Sequence, residues 1–203
     1  MRTKYTTKKK NLIRSRKKQI LDAAVTVFSI KGFAKARVDE IAVRAGLGKG
    51  TIYRYFGSKE DIFFAVVDKG MNTLKGLILD AISEEEKPLK KIEKAIRVYL
   101  LFFQKNKDFV GILTQERSEF RKRVRQRYLE HYYEHINKME EVFRKGIAQK
   151  VLKKVDVRSA VSMLNDMVNG TIYRWVLEGG NYPLIDKLPA IVNIYFTGIV
   201  KER

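Results

Sequence analysis

The fold is decided by the stretch Val38–Phe63, which reads VDEIAVRAGLGKGTIYRYFGSKEDIF. Its apolar residues recur at the spacing of one helix face as far as Ala45, and a Gly-Leu-Gly sequence at 46–48 then interrupts the pattern. A second apolar pair, Ile52 and Phe56, follows this interruption. Two short helices joined by a tight turn that contains glycine are the geometry of a helix-turn-helix.

The second of these two helices carries a polar side that suits a groove of duplex DNA. A helix about 10–12 Å across fits the major groove, which is about 12 Å wide. Lysine can donate hydrogen bonds to guanine, glycine lets the backbone approach the bases, and a threonine methyl can touch a thymine methyl. Tyrosine hydroxyls and Lys59 suit phosphate oxygens. The polar side comprises Lys49, Gly50, Thr51, Tyr53, Arg54 and Tyr55.

Positive charge is concentrated in the same part of the chain. The 203 residues carry a net charge of +19, and residues 1–59 alone hold 16 Lys and Arg against 3 Asp and Glu. This balance indicates a polyanionic partner, and DNA, RNA or an anionic membrane surface would each satisfy it. Residues 1–13 lack periodicity, and we interpret them as a mobile basic arm. The arm is either a frayed terminus or a segment that lies along phosphates or in a minor groove.

Helices are also predicted on both sides of the motif. Ile20, Ala24 and Phe28 form one apolar stripe before it, and Gly32 is expected to end that helix. After the motif, Ser58 is a predicted N-cap. Two acidic residues follow Ser58 in the first turn of the next helix, where they suit the helix dipole.

Residues from about Gln19 to Phe64 resemble the DNA-binding domain of the TetR/AcrR family of bacterial regulators. The similar segments are ILDAAVTVFSIKGF, which begins at Ile20, and the stretch quoted above. The resemblance implies a homodimer in which each subunit reads half of a partly palindromic operator. It also implies that a small molecule in the C-terminal body changes the separation of the two reading heads.

The same resemblance implies a role for each polar residue of the second helix. The residues that would face bases are Lys49, Gly50 and Thr51. The residues that would hold phosphates are Tyr53, Tyr55 and Lys59, while Arg54 could serve either role. Two positions depart from the family pattern. Arg37 stands where a Ser or Thr usually caps the first helix of the motif, although arginine could still reach a phosphate. Gly48 stands at the cap of the second helix, where glycine is tolerated.

Everything after the motif is predicted to be helical, so the fold class is all-α with about nine helices. Helices are expected over 59–83, 89–104, 108–118, 121–149, 156–178 and 184–200. We divide the chain into two domains. Residues 1–59 form the basic arm and the helix-turn-helix domain, and residues 60–203 form a helical effector-binding and dimerisation domain.

The resemblance implies an apolar effector cavity between the helices of the body, although general burial habits make most aromatic rings core residues. The candidate lining residues are Phe103, Phe109, Tyr128, Tyr132, Tyr173 and Trp175. The stretch ERSEFRKRVRQRY at 116–128 is similar to fatty-acid-responsive members, which favours a fatty acyl effector. Its basic run at 121–127 is either a solvated face or a contact for a phosphorylated effector such as an acyl-coenzyme A.

The last two predicted helices each carry an apolar stripe. Two such hairpins could pack as a four-helix bundle across a two-fold axis, and the resemblance favours this over an intrachain core. The candidate dimer residues are Val161, Leu164, Val168, Ile191, Tyr195 and Ile199.

Together with the family that the chain resembles, these patterns imply a cytoplasmic, ligand-responsive transcriptional repressor that binds double-stranded operator DNA as a homodimer. A small, largely apolar effector is expected to release it. No cofactor, metal or membrane partner is expected, because the chain has no cysteine, no third ligand beside His131 and His135, and no apolar run approaching the roughly 18 residues of a membrane span. No nucleophile–base set or phosphate loop can be assembled, which argues against an enzyme. The alternatives are a non-specific DNA-binding protein of the nucleoid type and, third, a membrane-surface protein.

Overall fold

The computed structural model describes the backbone of residues 2–119 and 136–199, and the side chains of residues 10–114 and 136–198. Within these ranges the chain forms nine α-helices and one short 3-10 helix, and no β-strand. The predicted all-α fold class is confirmed.

The first three helices form the head of the molecule. They are α1 (Arg2–Lys35), α2 (Val38–Arg44) and α3 (Lys49–Tyr55). The remaining helices form the body: α4 (Lys59–Ser83), α5 (Pro88–Lys105), α6 (Lys107–Glu119), α7 (136–148 within the described residues), α8 (Val157–Leu177), a 3-10 turn (Leu184–Lys187) and α9 (Leu188–Ile199). Four predicted helices of the body, at 59–83, 89–104, 108–118 and 156–178, agree with α4, α5, α6 and α8 to within one residue at each end.

The N-terminal segment is helical, which corrects the prediction of a mobile arm at 1–13. Helical dihedral angles hold from Arg2 as far as Gly32, where φ is 73°. Lysine and arginine are good helix formers, and extending an existing helix costs far less free energy than nucleating a new one. The packed part of α1 can therefore propagate into the basic segment. Gly32 leaves helical geometry as expected, but it kinks α1, and helical hydrogen bonding resumes as far as Lys35.

One continuous hydrophobic core joins the head to the body. α1 packs against α2, α4 and α6, and α4 packs against α5. The ring of Phe63 on α4 meets Phe28 and Phe33 on α1, with centroids 5.0 and 5.1 Å apart in edge-to-face geometry. α4 has 25 residues and is about 37 Å long, which lets it contribute to the core in the head and in the body.

Side-chain caps fix where the two long helices of the body begin. The hydroxyl of Ser58 accepts a hydrogen bond from the backbone N–H of Asp61 at 3.0 Å, which confirms the predicted cap of α4. Asp156 caps α8 in the same way, because its carboxylate accepts from the N–H of Ser159 at 3.1 Å. These caps place α4 directly after the helix-turn-helix and α8 directly after the 149–156 loop.

The structure corrects the choice of residues for a dimer interface. Five of the six candidates are only 3–8% exposed in a single chain: Val161, Leu164, Val168, Ile191 and Tyr195. They pack α8 against α9, and the Tyr195 hydroxyl donates a hydrogen bond to the carbonyl of Ala160 at 2.7 Å. The side chain of Ile199 lies outside the described residues. An apolar stripe that faces its own chain has the same spacing as one that faces a partner, so the sequence alone did not distinguish the two.

Candidate DNA-reading interface and effector region

The turn between α2 and α3 sets the angle at which α3 leaves the head. Gly46 adopts a φ of 61°, a left-handed conformation that glycine tolerates without strain. The N–H of Leu47 donates to the carbonyl of Ala42 at 3.0 Å, which closes the end of α2. Gly48 is extended, with φ of −73° and ψ of 146°, and α3 starts at the next residue as the sequence predicts.

α3 is anchored by one side and open on the other. Ile52 is 0% exposed and Phe56, directly after the helix, is 8% exposed, which confirms the predicted inward pair. The outward side consists of exposed and half-buried residues: Lys49, Gly50, Tyr53 and Arg54 are exposed, and Thr51 and Tyr55 are half-buried. The polar side of α3 therefore faces solvent and not the protein interior.

Gly50 is not required by the packing of the protein itself. A Cβ atom placed on Gly50 would meet no heavy atom within 4 Å. The space in front of this residue is therefore open in the free protein, as close approach of a partner requires. Any steric need for glycine at this position must come from that partner.

Lys49 is held by an acidic residue of α2. Its ammonium lies 3.0 Å from the carboxylate of Asp39, and the guanidinium of Arg37 lies 3.5 Å from the same carboxylate. The hydrogen bond from Lys49 is the main cause that lowers the pKa of Asp39 below its usual range. Asp39 therefore stays ionised between two cations. Asp39 was not identified from the sequence as a partner of Lys49, although an acidic residue in the first turn of α2 was visible there.

Arg37 precedes α2 without capping it through its side chain, as expected for a group that has no acceptor. The compensation comes from Glu40, whose carboxylate accepts from the backbone N–H of Arg37 at 3.3 Å. Lys31 of α1 also bonds to Glu40, at 2.6 Å, and this contact is the main cause that lowers the pKa of Glu40. The Arg37 side chain is 73% exposed, and its phosphate contact stays a prediction.

The structure gives Lys59 partners within the protein. Its ammonium lies 2.8 Å from the carbonyl of Phe33, 3.3 Å from that of Ala34 and 3.1 Å from that of Ala36. The same ammonium lies 4.4 Å from the centroid of the Phe33 ring. An ammonium has three donor hydrogens, so these carbonyls can use all of them. Lys59 thus joins the start of α4 to the end of α1, and its phosphate contact stays a prediction.

The predicted lining residues of the effector cavity do not form one group. Phe103 and Phe109 stack with centroids 6.3 Å apart and are 2% and 5% exposed. Trp175 is also buried, and its indole N–H donates to the carbonyl of Tyr182 at 2.8 Å. Tyr173 is 48% exposed, so it faces away from the interior, because α8 turns the opposite side to the core. Tyr128, Tyr132 and the basic run at 121–127 lie outside the described residues.

Two further rings extend the Phe103–Phe109 pair into an aromatic cluster of Tyr99, Phe102, Phe103 and Phe109. Phe102 meets Phe103 at 5.2 Å and Phe109 at 6.1 Å between centroids. The hydroxyl of Tyr99 donates to the side-chain carbonyl of Asn169 on α8 at 2.9 Å. The cluster therefore links α5, α6 and α8. The helical spacing of Tyr99 and Phe103 was its only sequence signal.

The aromatic cluster also contacts α4 through a glycine. A Cβ atom placed on Gly70 would lie 2.6 Å from both Cε atoms of Phe109 and closer still to its Cζ. The edge of the Phe109 ring therefore lies directly on the backbone of α4, the helix that begins beside α3. No sequence pattern singled out Gly70.

The described ranges show neither a metal site nor a membrane span. No group of three or more His, Cys, Asp or Glu side chains in the described residues is placed to hold a metal ion. None of the helices formed by the described residues has both the length and the apolar character needed to cross a membrane.

Comparison with known proteins identifies both parts of the chain. Residues 20–66 match the family described as bacterial regulatory proteins, tetR family, and residues 85–198 match the tetracyclin repressor-like C-terminal domain. The fatty acid metabolism regulator protein of Bacillus subtilis (strain 168) is 26% identical over 182 residues, which are 89% of this chain and 94% of that protein.

Solved structures agree with these matches. The crystal structure of the transcriptional regulator FadR from Bacillus subtilis in complex with stearoyl-CoA has a TM-score of 0.82 and 26% identity, covering 89% of this chain and 97% of that one. The fatty acid degradation regulator FadR from Bacillus halodurans has the same fold, with a TM-score of 0.84 and 23% identity over 90% of this chain and 95% of that one. The chain belongs to the TetR family of bacterial transcriptional regulators, and its helix-turn-helix is the DNA-binding domain of that family.

Proposed function

We propose that this regulator is a homodimeric, cytoplasmic repressor that leaves its operator when it binds a fatty acyl-coenzyme A. The observation that carries the choice of effector is the similarity, over 89% of this chain, to a Bacillus subtilis regulator whose structure was determined in complex with stearoyl-CoA. The outward polar side of α3 supports the DNA-binding role. No catalytic role is assigned to any residue.

On the operator, each subunit places α3 in the major groove of one half-site. Lys49, Gly50 and Thr51 face the bases. The residues that hold phosphates are Arg37, Tyr53, Tyr55 and Lys59, with Arg54 in either role. In the free protein the ammonium of Lys59 contacts the carbonyls at the end of α1. The two heads must lie about 34–36 Å apart, one helical turn, for both to enter the groove on the same side of the duplex.

A stripe of exposed apolar residues supports the homodimer. The dimer stripe on α8 and α9 consists of Met163, Tyr173, Leu177 and Ile194, which are 48–68% exposed. Gly170 lies between Met163 and Tyr173 on α8, and a Cβ there would meet no atom within 4 Å. Large exposed apolar side chains on two helices that pack together favour a second copy as the partner that covers them.

The aromatic cluster supplies a route from the effector to the DNA. A long acyl chain that enters the body between α5, α6 and α8 has to move rings of this cluster, because Phe103 and Phe109 fill that space. Phe109 rests on Gly70 of α4, and α4 starts beside α3. An effector that prefers the shifted arrangement must weaken DNA binding, and DNA must weaken effector binding by the same factor.

The test uses an operator selected from random DNA and carrying a fluorescent label. Stearoyl-CoA is expected to weaken binding of the full chain to this duplex by about 5- to 150-fold, the usual range of allosteric coupling. Free coenzyme A and stearate serve as matched controls for the two halves of the molecule, and each alone is expected to change the affinity far less. If stearoyl-CoA leaves operator affinity unchanged, the acyl-CoA proposal is wrong, while DNA recognition is unaffected by that result.

A further inference from the structure

α1 extends well beyond the head. Among the residues whose side chains are described, the first fully buried one is Ile20, and residues 10–19 are all exposed except Arg16, which is half-buried. The backbone is nonetheless helical from Arg2. We call residues 2–19 the basic extension. Its length is about 27 Å, and over residues 10–19 none of its faces is buried against the rest of the protein.

The charges of the basic extension all have one sign. It holds nine Lys and Arg residues and no Asp or Glu, and the first acidic residue of the chain is Asp22. The cations are Arg2, Lys4, Lys8, Lys9, Lys10, Arg14, Arg16, Lys17 and Lys18. Like charges four residues apart destabilise a helix, and three such pairs occur here: Lys4 with Lys8, Lys10 with Arg14, and Arg14 with Lys18. A polyanionic partner would remove this repulsion.

The basic extension leaves the head beside the DNA-reading helix. The side-chain amide of Gln19 donates to the carbonyl of Ala45, in the turn before α3, at 2.6 Å. The ammonium of Lys17 lies 5.7 Å from the ring centroid of Phe56, directly after α3. Since helical geometry in α1 holds from Arg2 to Gly32, the direction of the extension is fixed by the head. The C-terminal end of the basic extension therefore lies close to residues on both sides of α3.

We propose that the basic extension is a second DNA-binding element, a helix that lies along the phosphates of duplex flanking the operator. It adds affinity but no sequence preference, because phosphate contacts carry no direct sequence information. The inference rests on the proposed function, since α3 has to be placed on a duplex first. B-DNA carries about one negative charge per 1.7 Å, so a helix of about 27 Å spans about 16 phosphate charges.

Composition favours DNA over a lipid surface as the partner. Helices that lie in a membrane interface need a broad apolar face opposite their cations. Tyr5, Leu12 and Ile13 are the only large apolar residues of the extension. Leu12 and Ile13 are adjacent and 58% and 38% exposed, so they do not build such a face.

The experiment compares two variants of the full chain that have the same reduction in charge. The extension variant carries Lys4→Gln, Lys8→Gln, Lys10→Gln and Arg14→Gln. The control variant carries Lys145→Gln, Lys150→Gln, Lys153→Gln and Lys154→Gln in the body. Binding to a duplex with about 15 flanking base pairs on each side is measured as log K against log salt. The slope is expected to become shallower by about 0.9 for each phosphate that the protein no longer neutralises. We expect a total change of about 2 or more in the extension variant and little in the control.

Each further outcome decides the inference. The ratio of operator to unrelated-duplex affinity is expected to stay unchanged in the extension variant, and trimming the flanks should abolish the difference between the two variants. Equal slopes for both variants on the long duplex would overturn the inference, and so would a difference that persists on the trimmed duplex. A last measurement uses vesicles with about one third anionic lipid. If these vesicles bind the unmodified chain but not the extension variant, and the DNA slopes of the two variants are equal, the extension binds a membrane surface and not DNA.

Failure of the proposed function gives a different result from failure of the inference. If the unmodified chain prefers no sequence at all, the operator-reading role is wrong, but the two slopes can still be compared on unrelated duplex. Thermal unfolding of both variants checks that they are folded, which is expected because Lys10 and Arg14 are exposed and all four changes replace one polar side chain with another.

Discussion

The side chains around Lys49 show how a single residue can lower the affinity for any DNA duplex and yet raise the preference for one sequence. Asp39 is an acidic group on the surface that faces a polyanion, so on its own it weakens binding to any phosphate backbone. It also fixes the ammonium of Lys49 at 3.0 Å, in a position where the remaining hydrogens can face a base edge. We therefore expect Asp39 to favour the correct sequence at the expense of general affinity.

Replacing Asp39 tests this division. In Asp39→Ala, the affinity for unrelated duplex should rise, because each subunit then carries one negative charge fewer. The preference for the operator should fall by about 10-fold, within the 1–3 kcal/mol range of a base contact. The matched control is Asp22→Ala, which also removes one negative charge from the head. Asp22 does not contact Lys49; it forms an ion pair of 2.5 Å with Lys69, which joins α1 to α4. Identical changes in the two variants, measured at one salt concentration, would contradict the role of Asp39.

Gly50 gives a second test, because stability and DNA binding are expected to change in opposite directions. Alanine fits the open space at this position and forms helix better than glycine, so Gly50→Ala should raise the free energy of unfolding by up to about 1 kcal/mol. The added methyl group should clash with base pairs and weaken operator binding at least about 10-fold. Gly76→Ala on α4 is the control, since its Cβ also meets open space. Unchanged operator binding by Gly50→Ala would show that the backbone of α3 does not approach the duplex closely.

Among the elements, α4 is the one that we propose couples effector binding to DNA binding. Its N-terminus is held to α1 by Lys59, and its middle carries the Phe109 ring of α6 on Gly70. A packed helix with contacts of this kind moves as a rigid unit and not by gradual deformation. The contact between Phe109 and Gly70 is therefore where α6 can displace α4.

A double substitution measures that contact. Gly70→Ala places a methyl group within 2.6 Å of three Phe109 ring atoms, so the free energy of unfolding should fall by about 1–3 kcal/mol. Combining it with Phe109→Leu should cost less than the sum of the two single changes, because the clash and the ring are the same interaction. Gly76→Ala, six residues along the same helix, should be neutral or stabilising. Strict additivity, measured by denaturant unfolding, would show that the two residues do not interact as described.

How well the elements could be predicted depends on whether their signals are local. The boundaries of α3 and α4 follow from Gly48 and Ser58, whose backbone and capping preferences act within a few residues. The partners of Lys59 could not be predicted, because Phe33 and Ala36 are brought to it only by the packing of α1. Tyr173 was misplaced for the same reason: its neighbours in sequence do not reveal which side of α8 faces the core.

On the scale of the whole molecule, the proposed dimer depends on which apolar residues of α8 and α9 are buried in the core and which are exposed in the dimer stripe. Val161 and Tyr195 fill the core of one chain, so in the proposed dimer a second copy would meet other residues of α8 and α9. Ile194 is 65% exposed in the dimer stripe, and Ile30 is 74% exposed on α1 of the head. They are the same residue type, one on the head and one on the body.

These two isoleucines give a matched test of the dimer. Ile194→Glu should shift the chain from dimer to monomer, because each interface would gain two buried charges that lack partners. Ile30→Glu should leave the dimer intact. Analytical ultracentrifugation over a range of concentrations measures both. A dimer of unchanged affinity in Ile194→Glu would move the interface away from the dimer stripe.

The central claim is that the outward side of α3 selects a DNA sequence. Selection of bound duplexes from random DNA by the full chain tests it most directly. A partly palindromic sequence is expected, with half-sites one helical turn apart and an affinity at least about 10³-fold above that for unrelated duplex. In Lys49→Ala, the preference at one position of each half-site should relax by about 1–3 kcal/mol. No enriched sequence, or the same enriched sequence and preference in Lys49→Ala, would contradict the claim, and the first of these results would favour a non-specific DNA-binding protein.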